Sequence, residues 1–163
     1  MLMGVVLLCF ISPAMAAGQI DVEVTTHLGD KQVYQEGDEV SFLVSINSDA
    51  YLLILYQDAE GNLMQLLPNH LIENTKYTQG MFLPIPSAKS PFVFHIQAPY
   101  GEETIWVFAA DQPFPRLIGT TLENGVTLLE GKIEENVNYL RQKIEEMDAA
   151  YGEGKATIVT QKK

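Results

Sequence analysis

The side chains with the widest chemical range in this sequence are three histidines, His27, His70 and His95. Histidine transfers protons near neutral pH and binds metal ions. The three are far apart in the chain, and none has an acidic or histidine partner at the spacing of a known metal motif. The pattern therefore favours one turn, one loop and one solvent-facing strand histidine over a shared site, and it predicts no metal ion and no cofactor.

His70 is the histidine best placed for catalysis, because it begins a long predicted loop and loops often carry function. A carboxylate such as Glu73 or Asp111 would orient its ring for general-base catalysis. The sequence contains no Gly-x-Ser-x-Gly, Ser-x-x-Lys or His-Glu-x-x-His motif and no phosphate-binding glycine loop. A hydrolase or lyase that uses His70 is thus an alternative to the leading interpretation, a non-enzymatic protein.

The acidic turn Asp58-Ala59-Glu60-Gly61-Asn62 places several oxygen atoms close together, as calcium requires. An EF-hand loop needs a bidentate acid six residues after its glycine, and this chain has Leu67 there. We therefore interpret the turn as a solvated hairpin tip. A weak calcium or small-ligand site is the remaining alternative.

Two segments carry apolar side chains that are candidates for binding another protein. One is the predicted loop 68–90, and the other is the segment 113–117, which two prolines hold extended. Packing of both segments over the edge of the domain's own sheet is favoured over their exposure to a partner. The candidate interaction residues are Asn69, His70, Phe82 and Ile85 in the first segment and Phe114 and Arg116 in the second.

The charge of the chain limits its partners. Ten Lys and Arg residues against twenty-one Asp and Glu residues give a formal net charge of −11 over 163 residues. A strongly acidic protein repels phosphate backbones and anionic lipid headgroups. We therefore expect no nucleic acid and no membrane surface among its partners, and we expect neutral or basic protein surfaces instead.

The first sixteen residues resemble a secretory signal peptide. They contain no charged residue, an apolar run from Val5 to Ile11, and the small-x-small sequence Ala14-Met15-Ala16. The sequence predicts cleavage before Ala17 and a periplasmic or secreted bacterial protein. The apolar run is too short to span a bilayer, so no membrane span is expected after cleavage. Cleavage also removes Cys9, the only cysteine, and residues 17–163 must fold without a disulfide.

The period of the apolar residues predicts a single β-rich domain over residues 17–163. Alternating or continuous apolar runs predict short strands, and turn residues follow at intervals of about ten residues. This pattern predicts an Ig-like antiparallel β-sandwich. The predicted strands lie near residues 19–26, 40–46, 51–56, 63–67, 81–83, 92–96, 104–109 and 157–160.

The last third of the chain changes to a helical period. Ile133, Val137, Leu140, Ile144 and Met147 recur at intervals of four and three, which predicts one amphipathic helix over about 130–150. Thr127 and Glu130 would form its capping box, and 151–154 would end it. The apolar seam is short for a coiled coil, so docking on the domain's own sheet is favoured over docking on another chain.

Over about residues 25–113 the ordered motifs resemble the bacterial domain family DUF4384. The resemblance implies an exported or envelope-associated β-rich domain, of a kind found alone or joined to modules such as caspase-like peptidases and kinases. It implies no catalytic residues. The motifs are Tyr34-x-Glu36-Gly37-Asp38, Tyr51-Leu52-x-x-Leu55-Tyr56-x-Asp58-x-x-Gly61, Leu66-x-Pro68-Asn69, Pro84-Ile85-Pro86, and Pro99-Tyr100-Gly101-Glu102-Glu103 ahead of Trp106.

Together these observations favour an exported, non-enzymatic Ig-like module that binds another component of the cell envelope. The leader supports export, the strand pattern supports the fold, and the missing catalytic motifs argue against an enzyme.

Overall fold

The computed structural model describes residues 18–29, 33–88, 90 and 92–163, so the predicted leader and its cleavage site lie outside the described residues. The described chain is mainly β with one helix, which confirms the predicted fold class. In chain order the elements are β1 (Val22–Thr26), β2 (Val33–Gln35), β3 (Glu39–Val40), β4 (Phe42–Ile46), β5 (Ala50–Gln57), β6 (Leu63–Leu67), β7 (Lys76–Tyr77), β8 (Leu83–Ile85), β9 (Phe94–His95), β10 (Glu102–Ala110), β11 (Gly119–Thr121), β12 (Thr127–Leu129), α1 (Ile133–Met147) and β13 (Tyr151–Gln161).

A large sheet has the strand order β11-β12-β6-β5-β10-β13-β2, and β7 adds to the same edge of β5 as β6 does. Neighbouring strands within this sheet are antiparallel to each other, except that β13 and β2 are parallel. The longest ladder joins β10 to β13, from Glu102 opposite Val159 to Ala110 opposite Tyr151. This ladder positions Thr160, near the end of β13, beside Glu103 of β10, a pair to which the second candidate site belongs.

A second sheet with the order β1-β4-β8 covers one face of the large sheet, and β3 pairs with β9 beside it. Alternate residues of β5 and β10, such as Ile54, Ile105 and Val107, point into this layer and are completely buried. They share one cluster with Phe42 and Val44 of the small sheet. The two sheets therefore enclose the principal core of the molecule.

Helix α1 covers the opposite face of the same strands. Leu53, Leu55 and Phe108 point to this side and form a second cluster with Val137 and Leu140 of the helix. The prediction that the helix docks on its own sheet is thus confirmed. The helix in the described part of the chain does not have the length and apolar character needed to cross a bilayer.

The bounds of the helix differ from the predicted 130–150. Thr127 lies in β12, so it does not cap the helix. Gly131 precedes the first turn with a φ of 76°, and Glu135 accepts a 3.1 Å hydrogen bond from the backbone N–H of Lys132. The helix ends at Asp148, which has a left-handed backbone and donates its N–H to the carbonyl of Glu145.

Residues 151–154 do not end the helix, as the sequence predicted, but begin the last strand. Gly152 and Gly154 lie where β1 passes over β13. A Cβ atom on Gly152 would stand 1.8 Å from the carbonyl oxygen of Ile20, and one on Gly154 would stand 2.7 Å from that of Val22. Because glycine has no side chain, the backbone of β13 can touch the backbone of residues 20–22 at these two positions. The two glycines thus permit close packing and do not form a turn.

The predicted loop 68–90 also contains more strand than expected. The predicted edge strand at 81–83 lies instead at Leu83–Ile85, where it pairs with β4, and Lys76–Tyr77 pairs with β5. Short strands rich in proline have weak periodicity, and their pairing depends on contacts with distant parts of the chain.

Replacement of Gly152 tests the close crossing of β1 and β13. We expect Gly152→Ala to lower the free energy of unfolding by about 1–3 kcal/mol or more, because the new methyl group overlaps the Ile20 carbonyl. Urea denaturation of the two proteins measures the change.

Gly18→Ala is the matched control, since a Cβ at Gly18 meets only the Ala150 methyl group, at an ordinary 3.9 Å. Its effect should stay within about 0.5 kcal/mol. Equal losses for the two variants would contradict the steric explanation.

Candidate functional site

The first candidate site is the edge of the large sheet that β11 forms, which is called the free edge below; β2 forms the opposite edge. Among the described residues, β11 pairs with β12 alone. Its three residues are exposed, and Ile118 just before it is 74% exposed. Leu122 and Leu128 are each 43% exposed. This end of the sheet therefore presents apolar side chains beside a strand that has a partner on one side only.

The hydrogen bonds of β11 indicate which of its backbone groups are free. The Ile118 carbonyl accepts from the N–H of Glu130 at 3.1 Å, and the Leu122 N–H donates to the Val126 carbonyl at 2.8 Å. In an antiparallel pair, residues alternate between facing the partner and facing away from it. The N–H and C=O groups of Gly119 and Thr121 therefore point toward the open side of the sheet.

Beside this edge, a groove of about 330 Å³ separates the segment after Pro115 from the start of α1. Arg116 and Ile118 line one side, and Glu135 and Tyr139 of the helix line the other. Arg116 forms no ion pair within the described chain. Of the two interaction residues predicted in this segment, Arg116 lies in the groove beside the free edge. Phe114 is half-buried against the cluster between the helix and the large sheet.

The other predicted interaction residues do not form one surface. Asn69 is buried and stabilises its own turn, since its side chain accepts from the N–H groups of Leu71 and Ile72 at 2.9 and 2.8 Å. Ile85 is buried in the core between the sheets. Phe82 is 70% exposed, but it lies against the outer face of the small sheet.

His70 is exposed, and its ring lies beside Gly125. Within the described chain it forms no ion pair with Glu73 or Asp111, the two carboxylates expected to orient it. Asp111 instead accepts a 3.1 Å hydrogen bond from the backbone N–H of Ala150. His70 therefore lies apart from the two carboxylates that the general-base hypothesis assigned to it.

Asp58 stabilises the hairpin tip that resembled a calcium loop. Its carboxylate accepts from the N–H of Glu60 at 3.0 Å and from the backbone and side-chain amides of Asn62, both at 2.8 Å. Nowhere in the described ranges do three or more His, Cys, Asp or Glu side chains group in a way that would hold a metal ion.

The second candidate site is a cavity of about 350 Å³ at the end of the large sheet where β10 begins. Its floor contains Tyr56 of β5 and Glu103 of β10. Its walls come from β6, from the segment around β9 and from the turn between β11 and β12. The wall residues include Met64, Leu66, Phe92, Phe94, His95, Ile96, Leu122, Asn124 and Val126.

Glu103 is 4% exposed and is held by two hydroxyl groups. Tyr56 donates its phenolic hydrogen to one carboxylate oxygen. Thr160 of β13 donates to the other at 2.9 Å, and its own hydroxyl oxygen accepts from the N–H of Gly101 at 3.0 Å. The β10–β13 ladder therefore fixes the position of this carboxyl group from both strands.

Burial raises the pKa of Glu103 above its ordinary value, and the hydrogen bond from Thr160 opposes that increase. Desolvation disfavours the charged form of a carboxyl group, while a donated hydrogen bond favours it. The raised pKa means that burial outweighs the hydrogen bond from Thr160.

Sequence reasoning missed this carboxyl group, although a signal was present. Glu103 precedes Ile105 and Val107 at a spacing of two, so it occupies the buried face of its strand. A single acid at an apolar position of an amphipathic strand indicates a buried carboxyl group that needs donors.

Comparison with known proteins gave one family. Residues 33–113 match the model of a domain of unknown function, DUF4384, which confirms the resemblance drawn from the motifs. Neither the curated proteins nor the solved structures gave a match.

Glu103→Gln tests how the protonation of the buried carboxyl group affects stability. Because its pKa is raised in the folded protein, Glu103 contributes stability that is present below its ordinary pKa and is lost as pH rises through the folded value. A neutral glutamine does not titrate. We therefore expect the variant to gain stability relative to the wild type as pH rises, with urea denaturation between pH 4 and pH 8 as the measurement.

The exposed neighbour Glu102 provides the control, because Glu102→Gln changes the same chemical group on the solvent side of β10. Its stability difference from the wild type should show no such rise. A difference for Glu103→Gln that is flat or falls with pH would contradict the assignment.

Proposed function

We propose, from the premise that residues 33–113 of this chain belong to DUF4384, a family of domains of unknown function, that the protein is an exported, non-enzymatic Ig-like module. It binds another protein of the cell envelope at the free edge of the large sheet. The observation that carries this proposal is the exposed strand β11, with its unpaired backbone groups and the 74% exposed Ile118.

Binding at β11 proceeds by strand addition. An extended segment of the partner protein pairs with the N–H and C=O groups of Gly119 and Thr121, which point away from β12. Main-chain hydrogen bonds of this kind supply affinity, and contacts with alternate side chains supply specificity. The edge therefore binds a segment in β conformation rather than a helix.

The apolar side chains at this edge indicate which side chains the bound segment carries. Ile118 and Leu122 alternate with Gly119 and Thr121, and Leu128 lies opposite Thr120 in the ladder. Ile118, Leu122 and Leu128 therefore share one face of the β11–β12 pair. We expect the partner strand to cover them with apolar side chains at every second position.

The charge distribution limits the rest of the partner. The chain carries a net charge of −11, yet between Asp111 and Glu123 its only charged residue is Arg116. The partner therefore meets an apolar strand preceded by one arginine, on a molecule that is acidic elsewhere. A neutral segment on a neutral or basic protein fits this pattern.

Substitution of Ile118 tests the binding edge. We place a photo-crosslinking amino acid at Thr120 in the full-length chain expressed in cells and identify the adducts by mass spectrometry. A peptide of the captured segment is then titrated against the purified protein. We expect Ile118→Lys to weaken its binding at least tenfold, because a buried ammonium group replaces an apolar contact.

Val33→Lys is the matched control, since Val33 is 52% exposed and lies in β2, at the opposite edge of the same sheet. Its affinity should equal that of the wild type. Equal weakening by both substitutions, or adducts only between two copies of this chain, would contradict strand addition by another protein.

Export is proposed from the uncharged leader that ends in Ala14-Met15-Ala16. We expect the protein purified from the periplasmic or extracellular fraction to begin at Ala17, as measured by intact mass. Protein that remains in the cytoplasm with residues 1–16 attached would contradict export.

A further inference from the structure

Glu103 is a buried carboxyl group with no basic partner among the residues that the structure describes. Among the buried polar residues of the described chain, it is the only one that can carry a charge. The two ion pairs of the described chain join Arg141 to Glu153 and Lys143 to Glu146, and all four side chains lie on the surface. Buried carboxylates in proteins are normally paired with a cation.

The donors that Glu103 has do not use its full capacity. A carboxylate offers about four acceptor positions on its two oxygens. The hydroxyl groups of Tyr56 and Thr160 occupy one position on each oxygen. One position on each oxygen therefore stays available on a group that lines an open cavity.

Aromatic rings stand next to this carboxyl group. The ring centroids of Tyr56 and Phe94 are 5.0 Å apart, and those of Phe94 and Phe92 are 5.6 Å apart. All three rings line the cavity, as does the carboxylate-bearing Asp58. Among the described residues, no lysine or arginine lines it. Aromatic faces and carboxylates together attract organic cations, which is the basis of aromatic cages for quaternary ammonium groups.

We propose that this cavity binds a small organic cation, in which an ammonium group lies against Glu103 and the rings of Tyr56 and Phe94 and the attached carbon atoms contact the apolar walls. The volume of about 350 Å³ lies within the range of small-molecule sites. Met64, Leu66 and Val126 supply apolar surface for the body of the ligand. The aromatic rings favour an organic cation over a metal ion, which prefers a shell of several oxygens.

Two probes and their neutral counterparts test the site by calorimetry on the purified protein at pH 7. Choline is paired with 3,3-dimethylbutan-1-ol, which has the same shape without the charge, and butylammonium is paired with butan-1-ol. We expect at least one cation to bind, and its neutral counterpart to bind at least about tenfold more weakly. The preference between the two cations distinguishes a quaternary from a primary ammonium ligand.

Three variants assign the binding to the proposed residues. Glu103→Gln should weaken cation binding at least about tenfold, and Phe94→Leu should weaken it severalfold, because each removes one source of attraction. Glu102→Gln changes an exposed carboxylate on the same strand and should leave affinity unchanged. Thermal unfolding confirms that each variant is folded before it is titrated.

The proposal is overturned if neither cation binds at about 10 mM, a concentration that detects even weak sites. Neutral counterparts that bind as well as the cations would also overturn it, as would equal affinity in the wild type and Glu103→Gln. Leu122 borders both the cavity and β11, but the two proposals are tested separately. The cation site is tested with small ligands and the variants of Glu103 and Phe94, and strand addition is tested with a captured peptide and Ile118→Lys.

Discussion

Strands β5 and β10 are apolar on both faces, and the rest of the molecule is arranged to cover them. Ile54, Ile105 and Val107 point to one side and Leu53 and Phe108 to the other, and all are at most 1% exposed. A sheet with two apolar faces requires a layer on each side. The small sheet β1-β4-β8 supplies one layer, and helix α1 supplies the other. The hydrophobic effect on these two strands therefore accounts for both the second sheet and the position of the helix.

The connection that places the helix also places the last strand. The chain leaves β12 near one end of the large sheet, crosses β6, β5 and β10 as α1, and returns as β13. Strand β13 then pairs with β10 along nine residue pairs and passes under β1 at Gly152 and Gly154. The first and last strands of the described chain are joined by this contact, which holds the small sheet against the large one.

Both candidate sites lie where these covering layers end. Strand β11 is the last strand beyond the helix, so its outer backbone groups and Ile118 meet solvent. The cavity above Glu103 lies at the start of β10, where the segment around β9 replaces the small sheet as the cover. The apolar core stabilises the fold, and its uncovered margins supply the surfaces that can bind other molecules.

The strands with the clearest periodicity were predictable from the sequence. The segments at 42–46, 50–57 and 102–110 and the helix over 133–147 show alternation, continuous apolar residues or a helical period that neighbouring sequence alone produces. Short strands such as β7 and β8 were missed or displaced, because two or three residues carry no period and their pairing depends on distant partners. The glycines at 152 and 154 suggested a turn, since the contact with β1 that requires them is invisible in the local sequence.

The candidate sites show the same contrast between what local sequence pattern predicts and what contacts between distant residues decide. The sequence by itself determined a mainly β domain with one amphipathic helix, an acidic charge and the DUF4384 motifs. Only the tertiary structure decided that Ile85 is core, that His70 forms no ion pair with Glu73 or Asp111, and that Tyr56 and Thr160 meet at Glu103. Periodicity reports which face of an element is buried, whereas the partners on that face come from strand order and register, which bring together residues 47 and 57 positions apart in the chain.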